Sequence, residues 1–471
     1  MSKHYSNKDV SFDIEFLPAH QASVHGGQLG IQALLKEFGL KQRVAQEPAL
    51  DPRKHTGKGY EPIIYIQQVL LTLTSGGCSL ADAERLNDDE ALKALLGIEQ
   101  FPDQTSLGEW LRNVGTKGWE ALRRINRDLV AWIFQRAEPG RYEQAGRLEC
   151  FFDDTQIEVS GPSFEGAKIN YEGNLALSWQ TLFTGPLLAD SVLGATSDTK
   201  ESPTSEEAGK DVSNQLPALL TANQTLWQGR PNHLYTDSAS SAGKYLECIA
   251  GQFASWSVSY NKWTSPLETR AGQLPASAWS AEEKLKWRDG SEHRVQYAWL
   301  RYQPGGCPTT QLFAVLKHRG ADDLFWQYHF VTCQEHEGKP QAVFEHHRLK
   351  GDWERLLSEL LRDLDLHHLP CQDLGANRVF YTLASLAYNF LQALKLIYLP
   401  AEHQPKRVRT LLHHLLLIPI ELKRHARRLK ACLYIPAGWV VWWRGFLADL
   451  LPRCRQLGPL AGHPSPTIAT A

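Results

Sequence analysis

The stretch Glu149–Val159, ECFFDDTQIEV, constrains the fold of this chain more than any other. Cys150, Phe151 and Phe152 are apolar on both faces of an extended backbone, as in a strand covered on both sides. Thr155, Ile157 and Val159 restore β-propensity after the acidic pair Asp153–Asp154. A buried strand holds a carboxylate only where something compensates its charge, and a metal ion is the usual compensation. Period-two alternation puts Asp153 and Thr155 on one face and Asp154 on the other. Two acidic positions far along the chain are placed to share such an ion. Asp237 closes the apolar run His233–Asp237, and Glu354 lies beside the apolar stripe of an amphipathic helix.

With 471 residues the chain exceeds one ordinary core, so roughly two to four units are expected. A net charge of −2 argues against a generally basic nucleic-acid binder and leaves room for a local basic patch. The eight cysteines form no CxxC pair and no zinc spacing, so free thiols in a reducing compartment are expected. Met1–Val10 is polar and charged, which predicts no secretory leader. No apolar run approaches the roughly 20 residues of a membrane helix. A cytoplasmic protein with no membrane partner is the expectation.

Residues 1–146 read as helical, with segments at Gly30–Phe38, Tyr60–Thr74, Ser79–Leu86, Asp89–Leu96, Ser106–Val114 and Trp119–Arg136. Ser106 and Glu109 have the spacing of a capping box. The short helices suit a helix-turn-helix unit, and a plain helical subdomain fits the periodicity equally well. The period changes at Arg147. Strands are predicted at Glu149–Val159, Leu175–Thr184, Leu187–Leu193, Pro231–Asp237 and Phe253–Tyr260, with helices at Ser205–Leu220 and Ala242–Gln252. Three antiparallel strands followed by helix, strand, helix and strand make a mixed α/β sheet in the order of ribonuclease-H-like cores. Residues 147–260 would be the first part of that core. Residues 261–343 read as a β-rich insertion, with strands at Val295–Tyr302, Gln311–His318 and Trp326–Val331. Residues 344–399 would complete the core with helices at Phe344–Leu366 and Asn377–Leu399. Residues 400–471 would form a basic helical C-terminal region with a helix over Val408–Leu433 and a disordered tail from His463.

In Phe344–Leu366, Leu349, Trp353, Leu356, Leu357, Leu360 and Leu364 recur at helical spacing, with Glu354 beside them and Lys350 and His347 one and two turns earlier. Three converging carboxylates suit two-metal phosphoryl transfer, in which hard oxygen ligands hold Mg²⁺. Taken singly, each acid is also what a solvated surface or capping residue looks like.

His347–Glu354, HRLKGDWE, resembles the Tyr-x-x-Arg-Gly-x-x-Glu signature around the glutamate of one branch of DDE insertion-sequence transposases. Asp153-Asp154-Thr155 is similar to the first-strand Asp-x-Thr, which favours Asp153 over Asp154. Tyr235-Thr236-Asp237-Ser238 resembles the strand-four aspartate, and Glu165-Gly166 with Asn170-Tyr171 resembles a stretch downstream of the first aspartate. Ala376-Asn377 and Leu386-Ala387-Tyr388-Asn389 resemble the helix after the glutamate. The likeness runs from Arg147 to Leu433 with a weaker echo in Ser79–Asn113. His347 stands where Tyr is usual and Lys350 where Arg is usual. Leu361 stands seven places after the glutamate, where a basic residue is common, with Arg362 next to it.

The resemblance implies a prokaryotic, nucleoid-associated enzyme that binds double-stranded DNA at terminal inverted repeats. It would nick the DNA and join the freed 3′-hydroxyl to target DNA as a homodimer in a synaptic complex. Asp153, Asp237 and Glu354 would hold two Mg²⁺ ions, with Mn²⁺ as a substitute, and Lys350 and His347 would hold a phosphate. A metal-dependent nuclease without strand joining and a non-catalytic transposase-derived DNA-binding protein are the rival readings. Lys406–Lys430 concentrates positive charge in Arg407, Arg409, Lys423, Arg424, Arg427 and Arg428, the pattern of a phosphate-contacting surface and equally of a solvated face. Arg112 in Ser106–Val114 is a candidate reader of repeat ends. Trp263, Trp287, Trp299 and Trp326 could stack a flipped base or pack a small β unit, and Lys262 beside Trp263 offers a phosphate contact.

Overall fold

A ten-stranded mixed sheet organises the molecule. The computed structural model describes residues 21–55, 58–170, 172–195, 214–260, 266–287, 290–305, 307–334, 338–425 and 428–456. A two-residue strand, β1 (Ala22–Ser23), precedes the N-terminal helices Gln28–Phe38, Leu40–Ala45, Pro62–Thr74, Leu80–Arg85, Glu90–Leu96, Gln104–Asn113 and Gly115–Arg136. Ser79 starts Leu80–Arg85 with a capping box, its hydroxyl accepting from Asp82 N while the Asp82 side chain reaches back. The box expected at Ser106 is absent: the helix begins two residues earlier, and Asp103 caps it by accepting from Ser106 N at 2.7 Å. Asp is as good a cap as Ser and stood in the right place.

The central strands are β2 (Leu148–Glu158), β3 (Lys168–Ile169), β4 (Leu175–Thr184), β5 (Leu187–Ala195), β6 (Asn232–Thr236) and β7 (Ser255–Ser259). β4 pairs antiparallel with β2 and with β5, whereas β2, β6 and β7 run parallel. The spatial order β5-β4-β2-β6-β7 is the ribonuclease-H-like one expected from the sequence. Of the expected helix Ser205–Leu220, residues 205–213 lie outside the described ones; the helix that is described runs Leu216–Asn223.

The strands of the insertion are β8 (Glu283–Lys286), β9 (Glu292–Tyr302), β10 (Gln311–Gly320) and β11 (Gln327–Cys333). They continue the same sheet, because β11 pairs antiparallel with β7 through Val331↔Ser259, Thr332↔Val258 and Cys333↔Ser257.

The segment expected as one helix over Phe344–Leu366 is broken into Pro340–His347, Lys350–Ser358 and a widened π turn, Glu359–Asp363. Trp353 is buried against Phe151 of β2, with ring centroids 6.4 Å apart. Truncating a buried aromatic of this kind typically costs about 3–5 kcal/mol. Leu374–Ala393, buried along almost its whole length, packs on Gly115–Arg136 and on β5. Asn389 bridges them, donating to Asn126 Oδ1 at 2.9 Å and accepting from Leu188 N at 3.0 Å.

The helix expected over Val408–Leu433 is corrected by the structure. Only Val408–Leu416 is helical, and β12 (Ile420–His425) and β13 (Arg428–Leu433) form a hairpin that adds to β1. Pro419 lacks the N–H a continuing helix needs. Ile420 and Leu422 then alternate inward onto Leu95 and Ala91, a pairing no local pattern announces. No helix among the described residues is long and apolar enough to cross a membrane.

Candidate active site

Strand register brings the first two acids together. The parallel ladder ends at Phe152↔Thr236, so the next residues, Asp153 and Asp237, stand level on adjacent strands and on one face. Phe151 and Tyr235 precede them on that face, where Pro340–His347 and Lys350–Ser358 pack. Asp154 faces the other way and accepts from Ser178 Oγ at 2.5 Å and from Gln180 Nε2 at 3.2 Å. Asp237 ends β6 and caps the following turn by accepting from Ala239 N at 3.0 Å.

Glu354 projects, exposed, from Lys350–Ser358 into a cleft of about 1650 Å³. Thr155, Asp237, His347, Lys350 and Glu354 line it, Asp154 reaches its edge from the other face of β2, and Trp287, Tyr328 and His329 of the insertion line it as well; Asp153 itself, behind Lys350, is not part of the lining. Lys350 Nζ lies 3.5 Å from Asp153 Oδ1 and caps the Phe151 ring at 5.4 Å. Burial pushes the Asp153 carboxyl up to about 6; Lys350 draws it down, and the Asp237 and Glu354 carboxylates push it up again. Three carboxylates against one ammonium leave the group short of positive charge, and its donors are hard oxygens. That composition fits divalent ions such as Mg²⁺.

His347 is sunk beside the site. Its ring nitrogens pair with Ser257 (2.9 Å) and Ser259 (2.8 Å), and burial with the nearby Lys350 and His346 charges depresses it to about 4. It is therefore a neutral imidazole at ordinary pH. These serines were missed in the sequence, although the alternation of Ser255, Ser257 and Ser259 along β7 puts all three on one face.

The other sequence-predicted DNA contacts are dispersed. Arg407 is partly exposed but tied to the protein, its guanidinium paired with Asp363 at 2.9 and 3.2 Å and reaching Ser358. Arg409 lines a second, basic depression of about 450 Å³ with Arg362, Arg407, His413 and His414. The π turn adds one residue to the helix path, which swings Arg362 toward the angular position that Leu361 would hold in a regular helix. Lys423 sits exposed on β12, 3.0 Å from Glu421. Arg424 and Arg428 lie on the two hairpin strands. Arg427, Lys262 and Trp263 lie outside the described residues. Arg112 is exposed on Gln104–Asn113. Trp299 donates to Gly338 O, and Trp326 stacks under Lys317 and Arg319.

A ribonuclease-H-like sheet with acids on neighbouring parallel strands and on the helix crossing them is common to metal-dependent nucleases of the same fold and to the class of DDE transposases. The chain belongs to that class: the family model described as Transposase DDE domain group 1 matches residues 11–458. Among solved structures, the synaptic complex of piggyBac transposase with hairpin DNA is similar at 9% identity, over 95% of this chain and 87% of that one, with a TM-score of 0.42. No curated protein sequence matches the chain.

Proposed function

We propose that this protein is a cut-and-paste transposase that cleaves double-stranded DNA at terminal inverted repeats and joins the 3′-hydroxyl ends to target DNA. The observation that carries this reading is the levelling of Asp153 with Asp237 by strand register, with Glu354 facing the cleft that Asp237 lines and Asp153 pushed up by burial and, secondarily, by the Asp237 and Glu354 charges. In the described residues, the three acids do not close into a group with all ligand atoms within 4.8 Å of one another. A pair of ions about 3.5–4 Å apart needs a more open set than one ion does. Bound there, Mg²⁺ or Mn²⁺ would supply Lewis acidity to the attacking water or 3′-hydroxyl and to the leaving oxygen.

The chain's own residues would do the rest. Asp153 and Asp237 would hold the divalent ions from the sheet side, and Glu354 would complete the ligand set from the helix. Lys350 balances Asp153 in the resting site and can turn its ammonium to a phosphate oxygen. It offers a point charge where Arg would offer a planar fork. Neutral His347, with both ring nitrogens engaged by serines, contributes shape to the site and neither charge nor a spare hydrogen bond. Arg362, Arg409, His413 and His414 would guide the flanking duplex, and two copies of the chain would act on two ends.

The test uses purified protein, Mg²⁺ and end-labelled duplexes carrying the element's termini, with a supercoiled target. Joined products from the native chain, absent in Asp153→Ala and Glu354→Ala, support the proposal. Cleavage without joining favours the nuclease reading. Repeat binding without cleavage, indifferent to Asp153→Ala, favours the non-catalytic one.

A further inference from the structure

We infer that Asp365, His367 and His368 form a binding site for one divalent transition ion of the zinc or cobalt class, separate from the carboxylate cleft. Among the described residues these are the three His, Cys, Asp or Glu side chains whose ligand atoms all lie within 4.8 Å of one another. Both histidines aim the same nitrogen at the same oxygen. Nδ1 of His367 is 3.2 Å, and Nδ1 of His368 3.4 Å, from Asp365 Oδ1. An ion bound tetrahedrally at about 2.0–2.1 Å from nitrogen and oxygen separates its ligands by about 3.3 Å, so the spacing already matches that of a shared ion. Two imidazoles and a carboxylate are a borderline donor set, suited to Zn²⁺ or Co²⁺ and poorly suited to Mg²⁺.

The backbone is formed around this arrangement. Asp365 adopts the left-handed region at φ 56°, which Asp tolerates better than most side chains. Leu366 next to it is buried, and its carbonyl accepts from the Tyr381 hydroxyl. His368 N donates to Asp365 O at 3.3 Å, closing the turn. The interior thus grips Leu366 while the three polar side chains face out together, the Asp365, His367 and His368 side chains 36%, 50% and 71% exposed. An ion can enter, and a water can take its fourth position. Two contacts compete: His367 Nδ1 also lies 2.7 Å from Leu361 O, a hydrogen bond that the ion would displace, and the Asp365 carboxylate also accepts from the Cys78 thiol. The site closes the turn after the helix that carries Glu354, just before Leu374–Ala393 begins.

The test uses the full, tag-free chain, stripped with EDTA and dialysed. Excess Mg²⁺ first occupies the hard-oxygen cleft, and Co²⁺ is then titrated while its visible absorption is followed. The expected result is one equivalent of cobalt with an intense tetrahedral spectrum, displaced by Zn²⁺. Asp365→Asn should weaken binding at least ~10-fold while keeping a residue that tolerates the left-handed turn. His367→Ala/His368→Ala should abolish the spectrum with circular dichroism unchanged. If the double variant disturbs folding, His368→Gln at the most exposed ligand gives the same readout. No cobalt spectrum in the native chain, or a folded variant that binds as the native chain does, would overturn the inference.

Discussion

Replacing Asp153 by Asn should stabilise the metal-free protein while removing its activity. The carboxyl sits on β2 with its side chain 18% exposed, and burial with neighbouring acids moves it from 3.8 to about 6. Folding therefore favours the protonated acid, and the folded chain holds a proton there that the unfolded chain has released. Stability falls as pH rises from about 4 to about 6, and the ionised form costs the native state up to about 3 kcal/mol. That figure already contains the attraction of Lys350. Asparagine keeps the shape and removes the charge. A chain of 471 residues unfolds with an entropy of about 1 kcal/mol/K, so the gain is about 3 °C. The assay is thermal unfolding in EDTA at pH 4 and pH 8. The variant should melt higher at pH 8, and the difference should shrink toward zero at pH 4. Adding Mg²⁺ should raise the native melting point and leave the variant's unmoved. A variant less stable at pH 8, or a difference independent of pH, would refute the charge argument.

Glu354→Gln and Asp237→Asn should each slow Mg²⁺-dependent cleavage on the order of 10³-fold, about 4 kcal/mol, in single-turnover nicking of a labelled duplex. Lys350→Ala removes the ammonium that draws Asp153 down, so the acidic limb of the pH–cleavage profile should move to higher pH, and Lys350→Arg should leave it near its native place. Asp190→Ala should lower stability by about 3–5 kcal/mol, read as a fall of the melting point, because it leaves Arg123 buried without the carboxylate that accepts from it at 2.8 and 2.9 Å.

Much of the fold was legible where period and breakers agree. Alternation and breakers predict a strand over Leu175–Thr184, the bounds that β4 has, and Gly185-Pro186 marks the turn that follows it. The choice of Asp153 over Asp154 rests on the resemblance to the first-strand Asp-x-Thr; alternation by itself says only that the two side chains lie on opposite faces, as they do. What stayed hidden depends on partners distant in sequence. The levelling of Asp153 with Asp237 is a property of strand register. Arg407 looks free in the sequence but is paired with Asp363, 44 residues away. Ile420–Leu433 reads as a basic helix until Ala22–Ser23 and Leu95 claim its alternation. The break at Arg348–Leu349 leaves no trace in an apolar stripe that runs through it.

The ladder between β7 and β11 has a mechanical consequence. Hydrogen-bonded strands resist sliding past one another, so the wall bearing Trp287 and His329 is braced by the same girder that carries the acids. Among the described residues, the insertion strands and the acid-bearing strands belong to one continuous sheet. If a duplex is bound between the two walls, it meets a surface built on one sheet, and the work of any distortion needed to fit would fall on the nucleic acid.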